Sequence, residues 1–494
     1  MNIPKVIKQV IVDIENDGFE AYLVGGCVRD FLLGKKPTDW DIATNASPQD
    51  IEKIIQATGR ETFYENDFWT VGVVCPELNG EYTSDNIVEI TTYRAETTYS
   101  DKRHPDKVTP AKNLEEDLSR RDFTINAMAI KLGKAEDNFL IIDLYRGKED
   151  LNNKIIRAVG NPEDRFSEDA LRMLRAVRFS ASLGFIIEPE TKMAIKTNCQ
   201  SLKLISQERI RDELVKIISG DRAEKGIESL RELRLLEYII PELEEGYGIG
   251  QNKHHIFDCY QHNLLSLKYA AEKNFNFHVR MAALLHDIGK PRTKTGDGPD
   301  STFHNHETVG ARMAKIILER LKFSKKDIQK IVTLVRYHLF YYNVGEVTES
   351  SVRRLVRNVG PENIDELLEV RMADRIGSGV PKAEPYKLRH LRYLIDKVAQ
   401  DPLSAKMLAV NGNDIITVLN IQPGPRIGFI LEILLGEVLS DPKNNDKELL
   451  LVKVRKLNEL TDDELKEMVK KAKNERESLE MKRDEMTKSR YWVT

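Results

Sequence analysis

A change of periodicity near residue 150 constrains this chain more than any other feature. Before it, short runs rich in Val, Ile and Thr (AYLV, TDWDIAT, FWTVGVVCP, NIVEITTYR, FTINAMAIKL, FLIIDLYRG) alternate with Gly, Pro and Asn turns, a strand pattern. Two stretches interrupt them with helical spacing: residues 3–18, with Ile3, Val6, Ile7, Val10, Ile11 and Ile14 on one stripe, and CVRDFLLG, closed by Gly34. Beyond about residue 165 the spacing is helical throughout, as in SEDALRMLRAVRFSASLGF, SQERIRDELVKIISG and IESLRELRLLEYII. The chain reads as an α/β head with a small sheet, followed by an all-α remainder.

A length of 494 residues allows roughly three or four domains. We place a head at 1–150, a helical neck at 151–225, a helical body at 226–395 and a helical tail at 396–494. The Gly- and Pro-bearing stretches 246–253, 294–300 and 421–426 are candidate linkers, the last a candidate boundary of the tail. The run 461–490 is densely charged with both signs and predicts a solvated surface helix. Net charge is −4, so no global basic field announces a nucleic-acid partner, and any RNA contact must use local patches. Four scattered cysteines (Cys27, Cys75, Cys199, Cys259) form neither a zinc nor a disulfide framework. With no signal-peptide pattern and no long apolar run, the expectation is a cytoplasmic protein without membrane contact.

Gly25 and Gly26 end an apolar run and open a short helix bearing Arg29 and Asp30, where backbone N–H groups can approach a phosphate. Asp39-Trp40-Asp41 follows, and on a strand its two carboxylates share a face, as Mg²⁺ bridging substrate phosphates requires. Two such ions can clamp an in-line phosphoryl transfer. Glu89, in a strand-like stretch, is a candidate third carboxylate. A surface turn would also explain a lone D-x-D, and ordinary alternation would explain Glu89. Arg120, Arg121 and Asp122 precede a strand, with Asn126 beyond them; guanidinium groups suit bidentate phosphate contact. Asp169 and Arg172 stand at i, i+3 on a helix, a spacing that also makes plain surface ion pairs. Arg175 and Arg178 continue that row, to brace the neck or to meet RNA phosphate.

LVGGCVRDFLLGKKPTDWDIAT resembles the signature of the class II CCA tRNA nucleotidyltransferases and bacterial poly(A) polymerases, and the resemblance runs over about 20–225. It implies a nucleotidyltransferase head with a small mixed sheet. Asp39, Asp41 and Glu89 become catalytic, and Asp39 and Asp41 hold Mg²⁺. Gly25, Gly26, Arg29, Arg120, Arg121, Asp122 and Asn126 bind the nucleotide, and Asp169 and Arg172 read its base. The stretch 95–118 reads as a long polar loop and resembles the flexible loop of enzymes that add the terminal A, with Tyr99, Asp101 and Arg103 matching. His104 stands where the family often has Arg. The implied reaction is addition of C, C and A to the 3′ end of tRNA from CTP and ATP. A-only addition is the nearest rival, and poly(A) synthesis is disfavoured because the strongly basic tail typical of those enzymes is absent. Oligomeric state is left open, a homodimer included.

Eight of the ten histidines fall between residues 254 and 338. Several His with Asp, on consecutive helices and each after apolar residues, suit a divalent transition metal. The order H…HD…H…H…D resembles the HD phosphohydrolase superfamily, with the domain at about 255–380. It implies His262, His286, Asp287 and Asp374 as the core ligands and His306 and His338 as additional ones, with His304 an alternative to His306. The implied activity is hydrolysis of phosphomonoesters or 2′,3′-cyclic phosphates, with the metal unidentified. A rival of another class is an HD hydrolase whose head only binds nucleotide as a regulatory module; D-x-D argues against it. A purely RNA-binding scaffold explains neither ligand set.

Overall fold

The structure, a computed structural model, describes residues 3–65, 69–78, 86–96, 108–111, 113–133, 138–252, 256–380, 382–399 and 408–493. The head carries helices α1 (Lys5–Asn16), α2 (Gly26–Leu32), α3 (Pro48–Ala57), α4 (Leu114–Ser119) and α5 (Gly147–Asn153). Its main strands are β1 (Ala21–Val24), β2 (Trp40–Thr44), β3 (Thr62–Glu65), β4 (Thr70–Val74) and β5 (Ile87–Thr92). A small hairpin, β6 (Arg94–Glu96) and β7 (Val108–Pro110), precedes β8 (Met128–Leu132) and β9 (Phe139–Asp143). Seven strands form one mixed sheet in the order β3-β4-β5-β2-β1-β8-β9, in which only β2 and β5 run parallel. α1 buries its whole Val6, Ile7, Val10, Ile11, Ile14 stripe, and α3 starts from a Ser47 capping box. On the other side of the sheet, Tyr22 and Val24 of β1 and Ala43 of β2 cluster with Leu114 and Leu118 of α4. Asp41 shares parity with Ala43, so it faces the side that α4 covers.

Two expectations are corrected here. The stretch 95–118 is not loop throughout: β6 pairs antiparallel with β7, and α4 follows, capped by Asn113. Tyr99, Asp101 and Arg103 lie outside the described residues. Asn126 sits in a 3₁₀ turn (Thr124–Asn126), and β8 begins only at Met128.

The neck and body contain α6 (Pro162–Glu168), α7 (Leu171–Leu183), α8 (Pro189–Asn198), α9 (Gln207–Ser219), α10 (Ala223–Glu232) and α11 (Pro241–Glu244). They continue with α12 (Cys259–Glu272), α13 (Phe277–Leu285), α14 (Lys290–Thr293), α15 (His306–Arg320), α16 (Lys325–Tyr337) and α18 (Ile364–Gly377), with α17 (Glu349–Val359) between the last two. α19 (Tyr386–Ala399), α20 (Gly412–Leu419), α21 (Pro425–Ser440), α22 (Lys447–Leu457) and α23 (Asp462–Arg490) complete the chain. It divides into two compact units: Met1–Leu339 with Asp365–Pro381, and Phe340–Ile364 with Lys382–Thr494. In the second unit α17 packs on α19, and α20–α23 share one core. The Pro-Gly stretch at 421–426 is therefore a turn inside a core, not a boundary, since Ile415 and Ile427 on either side of it are buried together. The charged run forms α23 but is not purely solvated: Leu465, Val469 and Ala472 make a buried stripe. Among the described residues no helix is long and apolar enough to cross a membrane.

Candidate active sites

The head cleft forms where β1 ends and β2 and β5 begin. Leu23 lies opposite Ile42, so the glycine turn leaving β1 meets the start of β2. β5 runs parallel to β2 with Glu89 beside Asp41, which sets the two carboxylates on one face at one level. Asp39 stands in the bend before β2 rather than on the strand; it is exposed, yet lines the same cavity of about 560 Å³. Burial and the neighbouring Glu89 carboxylate push the Asp41 carboxyl up to about 6. Clustered carboxylates of this kind are a donor set that a hard divalent cation relieves. Gly25, at φ 76°, lies in the left-handed region, and a Cβ there would stand 3.0 Å from Arg121 Nη1 and 3.3 Å from Asp41 Oδ2.

The remaining lining is strongly cationic. Arg29 donates to both oxygens of Asp30 (2.9 Å each) and to Asn126 Oδ1 (2.8 Å). Asn126 donates to Asp122 Oδ1 (3.1 Å), whose other oxygen accepts from Arg175 Nε (2.7 Å). Arg29, Arg175 and Arg178 all lie over the Phe179 ring, at 5.2, 5.5 and 4.1 Å from its centre. Arg175 and Arg178 each have a carboxylate partner, Asp122 and Glu213 respectively, and both line the cavity.

Asp117 holds the Arg120–Arg121 pair: Oδ1 accepts from Arg120 (2.7 Å) and Oδ2 from Arg121 (3.0 Å). Burial alone would raise this carboxyl, but Arg121 and Arg120 outweigh it and bring it down to about 2. A depressed carboxyl gives stability that is complete above its ordinary value of 3.8 and is lost as pH falls toward 2. Asp117→Asn is therefore expected to cost about 3 kcal/mol at neutral pH. Urea unfolding at pH 7 and pH 3 should show the deficit shrinking at the lower pH; an unchanged gap would refute the role.

Asp169 and Arg172 line the same cavity but do not share a helix. α6 ends at Glu168, Asp169 is extended (φ −139°, ψ 105°), and α7 begins at Leu171. The cause is local: Asp169 Oδ1 accepts from the Leu171 N–H (3.0 Å), satisfying a first-turn donor of the new helix. Its Oδ2 accepts from Arg209 Nη2 of α9 (2.7 Å). Arg172 is buried and donates to Glu168 (2.6 Å) and to the Arg120 carbonyl (2.9 Å). The sequence reading did not single out Asp117, Glu168, Phe179, Arg209 or Glu213. The i, i+3 and i, i+4 spacings of Asp117 to Arg120 and Arg121, and of Glu168 to Arg172, are signals for two of them; Arg209 and Glu213 meet their partners only through the placing of α9 against α7 and the residues before it, and Phe179 meets Arg29 only where the neck packs on the head.

The second constellation lies in the helical body. His262 is on α12, His286 caps α13 with Asp287 next, His306 opens α15, His338 caps α16, and Asp374 is on α18. A Cβ on Gly377 would overlap Ser266 Oγ and the His262 carbonyl; this close approach of α18 to α12 brings Asp374 to His262. His262 Nε2 is 2.9 Å from His286 Nε2, 3.1 Å from Asp287 Oδ2 and 3.3 Å from Asp374 Oδ1. Asp287 Oδ1 faces His306 Nε2 (3.2 Å) and His338 Nε2 (3.5 Å). Two donor groups thus share Asp287, and within each the ligand atoms lie within 4.8 Å of one another. One ion with bonds of about 2.0–2.2 Å spans such a set.

Nδ1 of His286, His306 and His338 each meets a main-chain carbonyl three residues back, at 2.7–2.8 Å. That fixes the Nδ1–H tautomer and turns the Nε2 lone pairs toward the cluster, as metal ligation requires. Burial disfavours charge on His286, but Asp287 and Asp374 outweigh it and hold the imidazole up to about 10; His338 is held low by burial. Lys290 Nζ reaches Asp287 Oδ2 and Gln251 Oε1, at 2.6 Å each. His304 is exposed on the wall of the adjoining cavity of about 570 Å³, outside both donor groups, whereas His306 is buried within the second.

A carboxylate edge with an arginine-rich cleft, followed by a histidine–aspartate cluster, defines a nucleotidyltransferase joined to an HD domain. Residues 21–157 match the Poly A polymerase head domain, 184–246 the probable RNA and SrmB-binding site of polymerase A, and 260–378 the HD domain. The chain is 34% identical over 462 residues to the CCA-adding enzyme of Ligilactobacillus salivarius, covering 92% of this chain and 98% of that one. It is 32% identical over 441 residues to the A-adding tRNA nucleotidyltransferase of Deinococcus radiodurans, covering 85% and 92%. The Bacillus stearothermophilus CCA-adding enzyme, solved with CTP, superposes with a TM-score of 0.57 at 27% identity, covering 92% and 98%. The chain belongs to the CCA-adding enzyme family of tRNA nucleotidyltransferases.

Proposed function

We propose that the head adds C, C and A in turn to the 3′ end of tRNA, from CTP and ATP. The observation that carries the reading is the Asp41–Glu89 register at one sheet edge, beside Asp39 and in the same cavity as the arginines and Asp169. Asp39 and Asp41 are the residues to hold Mg²⁺, which when bound neutralises charge between a triphosphate and an attacking hydroxyl. Arg29, Arg120 and Arg121 receive the phosphates beside the Gly25-Gly26 turn, and Asp122 with Asn126 keeps Arg29 and Arg175 in place. The 3′ hydroxyl attacks the α-phosphorus and pyrophosphate leaves. Asp169 accepts from the exocyclic amine that C and A share, and Arg172 donates to the ring acceptor beside it. U and G present a carbonyl where that amine stands, so they leave Asp169 without a donor.

The second site supports a phosphohydrolase reading. His262, His286, Asp287, Asp374, His306 and His338 would hold divalent transition ions, which when bound supply Lewis acidity toward a phosphate ester. Phosphomonoesters and 2′,3′-cyclic phosphates are its substrate class.

Three tRNA transcripts, ending before CCA, after C and after CC, separate the readings when each is given CTP or ATP alone. CTP is expected to extend the first two and ATP the third. The Deinococcus relative supports A-only addition as a second reading, under which only the third is extended. UTP used as readily as CTP, or no extension at all, would sink the assignment.

A further inference from the structure

The geometry points to Arg209 as a specificity-determining residue that acts by positioning Asp169. This inference rests on the base-reading role proposed above for Asp169. The Asp169 carboxylate is held at two points from two helices: the Leu171 N–H at the start of α7 takes Oδ1 at 3.0 Å, and Arg209 of α9 takes Oδ2 at 2.7 Å. Two tethers on two oxygens fix the plane of the carboxylate and so the direction of the lone pairs left over for a base. One tether would leave it free to turn about its own side-chain torsions.

Arg209 is placed for this and for little else. It lines the nucleotide cavity with Asp169 and Arg172, and among the described residues Asp169 is its one hydrogen-bonding partner. Nη1 is buried without a partner, so the guanidinium is committed to a single carboxylate. The ion pair is part-exposed, with side chains 30% and 17% accessible, and pairs of that kind contribute little to stability. The α7–α9 packing has its own clamp in Arg178 and Glu213, at 2.7 Å, and does not depend on Arg209. What the pair does constrain is orientation. Discrimination of C and A from U and G depends on a lone pair aimed at an amine, and an acceptor that can turn aside tolerates the wrong edge more readily.

The test compares kcat/KM for CTP against UTP, and for ATP against GTP, on tRNA ending at the matching position. Wild type, Arg209→Met, Arg209→Lys and Asp169→Ala are measured side by side. Arg209→Met is expected to cut both ratios on the order of tenfold, the scale of one charge-assisted hydrogen bond. Arg209→Lys, with the charge but not the planar fork, should fall between. A merely structural role would lower all four nucleotides alike and leave the ratios unchanged. Wild-type ratios in both Arg209 variants, with Asp169→Ala relaxed, overturn the inference while the reading of Asp169 stands. Unchanged ratios in Asp169→Ala remove the base-reading role itself. Should Arg209→Met fail to melt cooperatively, Arg209→Lys decides.

Discussion

Asp41→Asn is expected to slow incorporation of CTP into tRNA by on the order of a thousandfold or more, with CTP affinity nearly intact. The asparagine keeps the shape of the side chain and removes the charge that a divalent cation needs, while Arg29, Arg120 and Arg121 still line the cavity. The same variant should melt higher than wild type in chelator at pH 7.5. A carboxyl raised to about 6 stabilises the folded state fully below its ordinary value of 3.8, and that contribution is lost as pH rises through 6. Above pH 6 the ion-free protein therefore carries an ionised Asp41 at a cost that asparagine lacks. Single-turnover extension, CTP titration and melting with and without Mg²⁺ read these effects separately. Near-normal extension by the variant would remove the catalytic role of the D-x-D pair.

Asp287→Asn is expected to abolish hydrolysis of a phosphomonoester such as p-nitrophenyl phosphate and to strip the body of bound metal, while tRNA extension survives. Asp287 Oδ2 serves His262 and His286 and Oδ1 serves His306 and His338, so one substitution disables both donor groups. His338→Ala touches only the second group and should lower metal content by about half, measured by elemental analysis. Asp287→Asn also leaves the buried Lys290 ammonium without its carboxylate, which carries a stability cost of about 3–5 kcal/mol. Metal retained in full by Asp287→Asn would rule out the shared-ligand arrangement.

Legibility in the sequence followed how close the chemistry lies along the chain. Asp39 with Asp41, and His286 with Asp287, are nearly contiguous, so a bend leading into a strand, or a helix end, is enough to bring them together. Asp41 beside Glu89 needed strand order, which no local pattern reveals: β2 and β5 are neighbours only because the sheet interleaves them. Helical spacing runs unbroken from 165 to 183 in the residues, yet the backbone breaks at Asp169 because its side chain bonds to Leu171 more locally than the helix does. Phe179 looked like one more apolar residue of α7. Two of the guanidinium groups over it, Arg175 and Arg178, come from α7 itself, but the third, Arg29, is placed there by the head.

The division of the chain bears on any attempt to dissect it. The polypeptide leaves the first unit after Leu339, one residue beyond His338, makes an excursion through α17, and returns at Asp365, in the first turn of the helix that carries Asp374. One ligand from each of the two donor groups that share Asp287 therefore brackets a detour that belongs to the other unit. Val352 and Val359 of α17 are buried, and α17 packs against α19. A stop codon placed after residue 380 would delete α19 and strand α17 with an apolar face in water. Truncation at that point would thus disturb the loop joining His338 to Asp374, and a phosphohydrolase defect in such a fragment would report severed connectivity rather than a catalytic contribution from the tail.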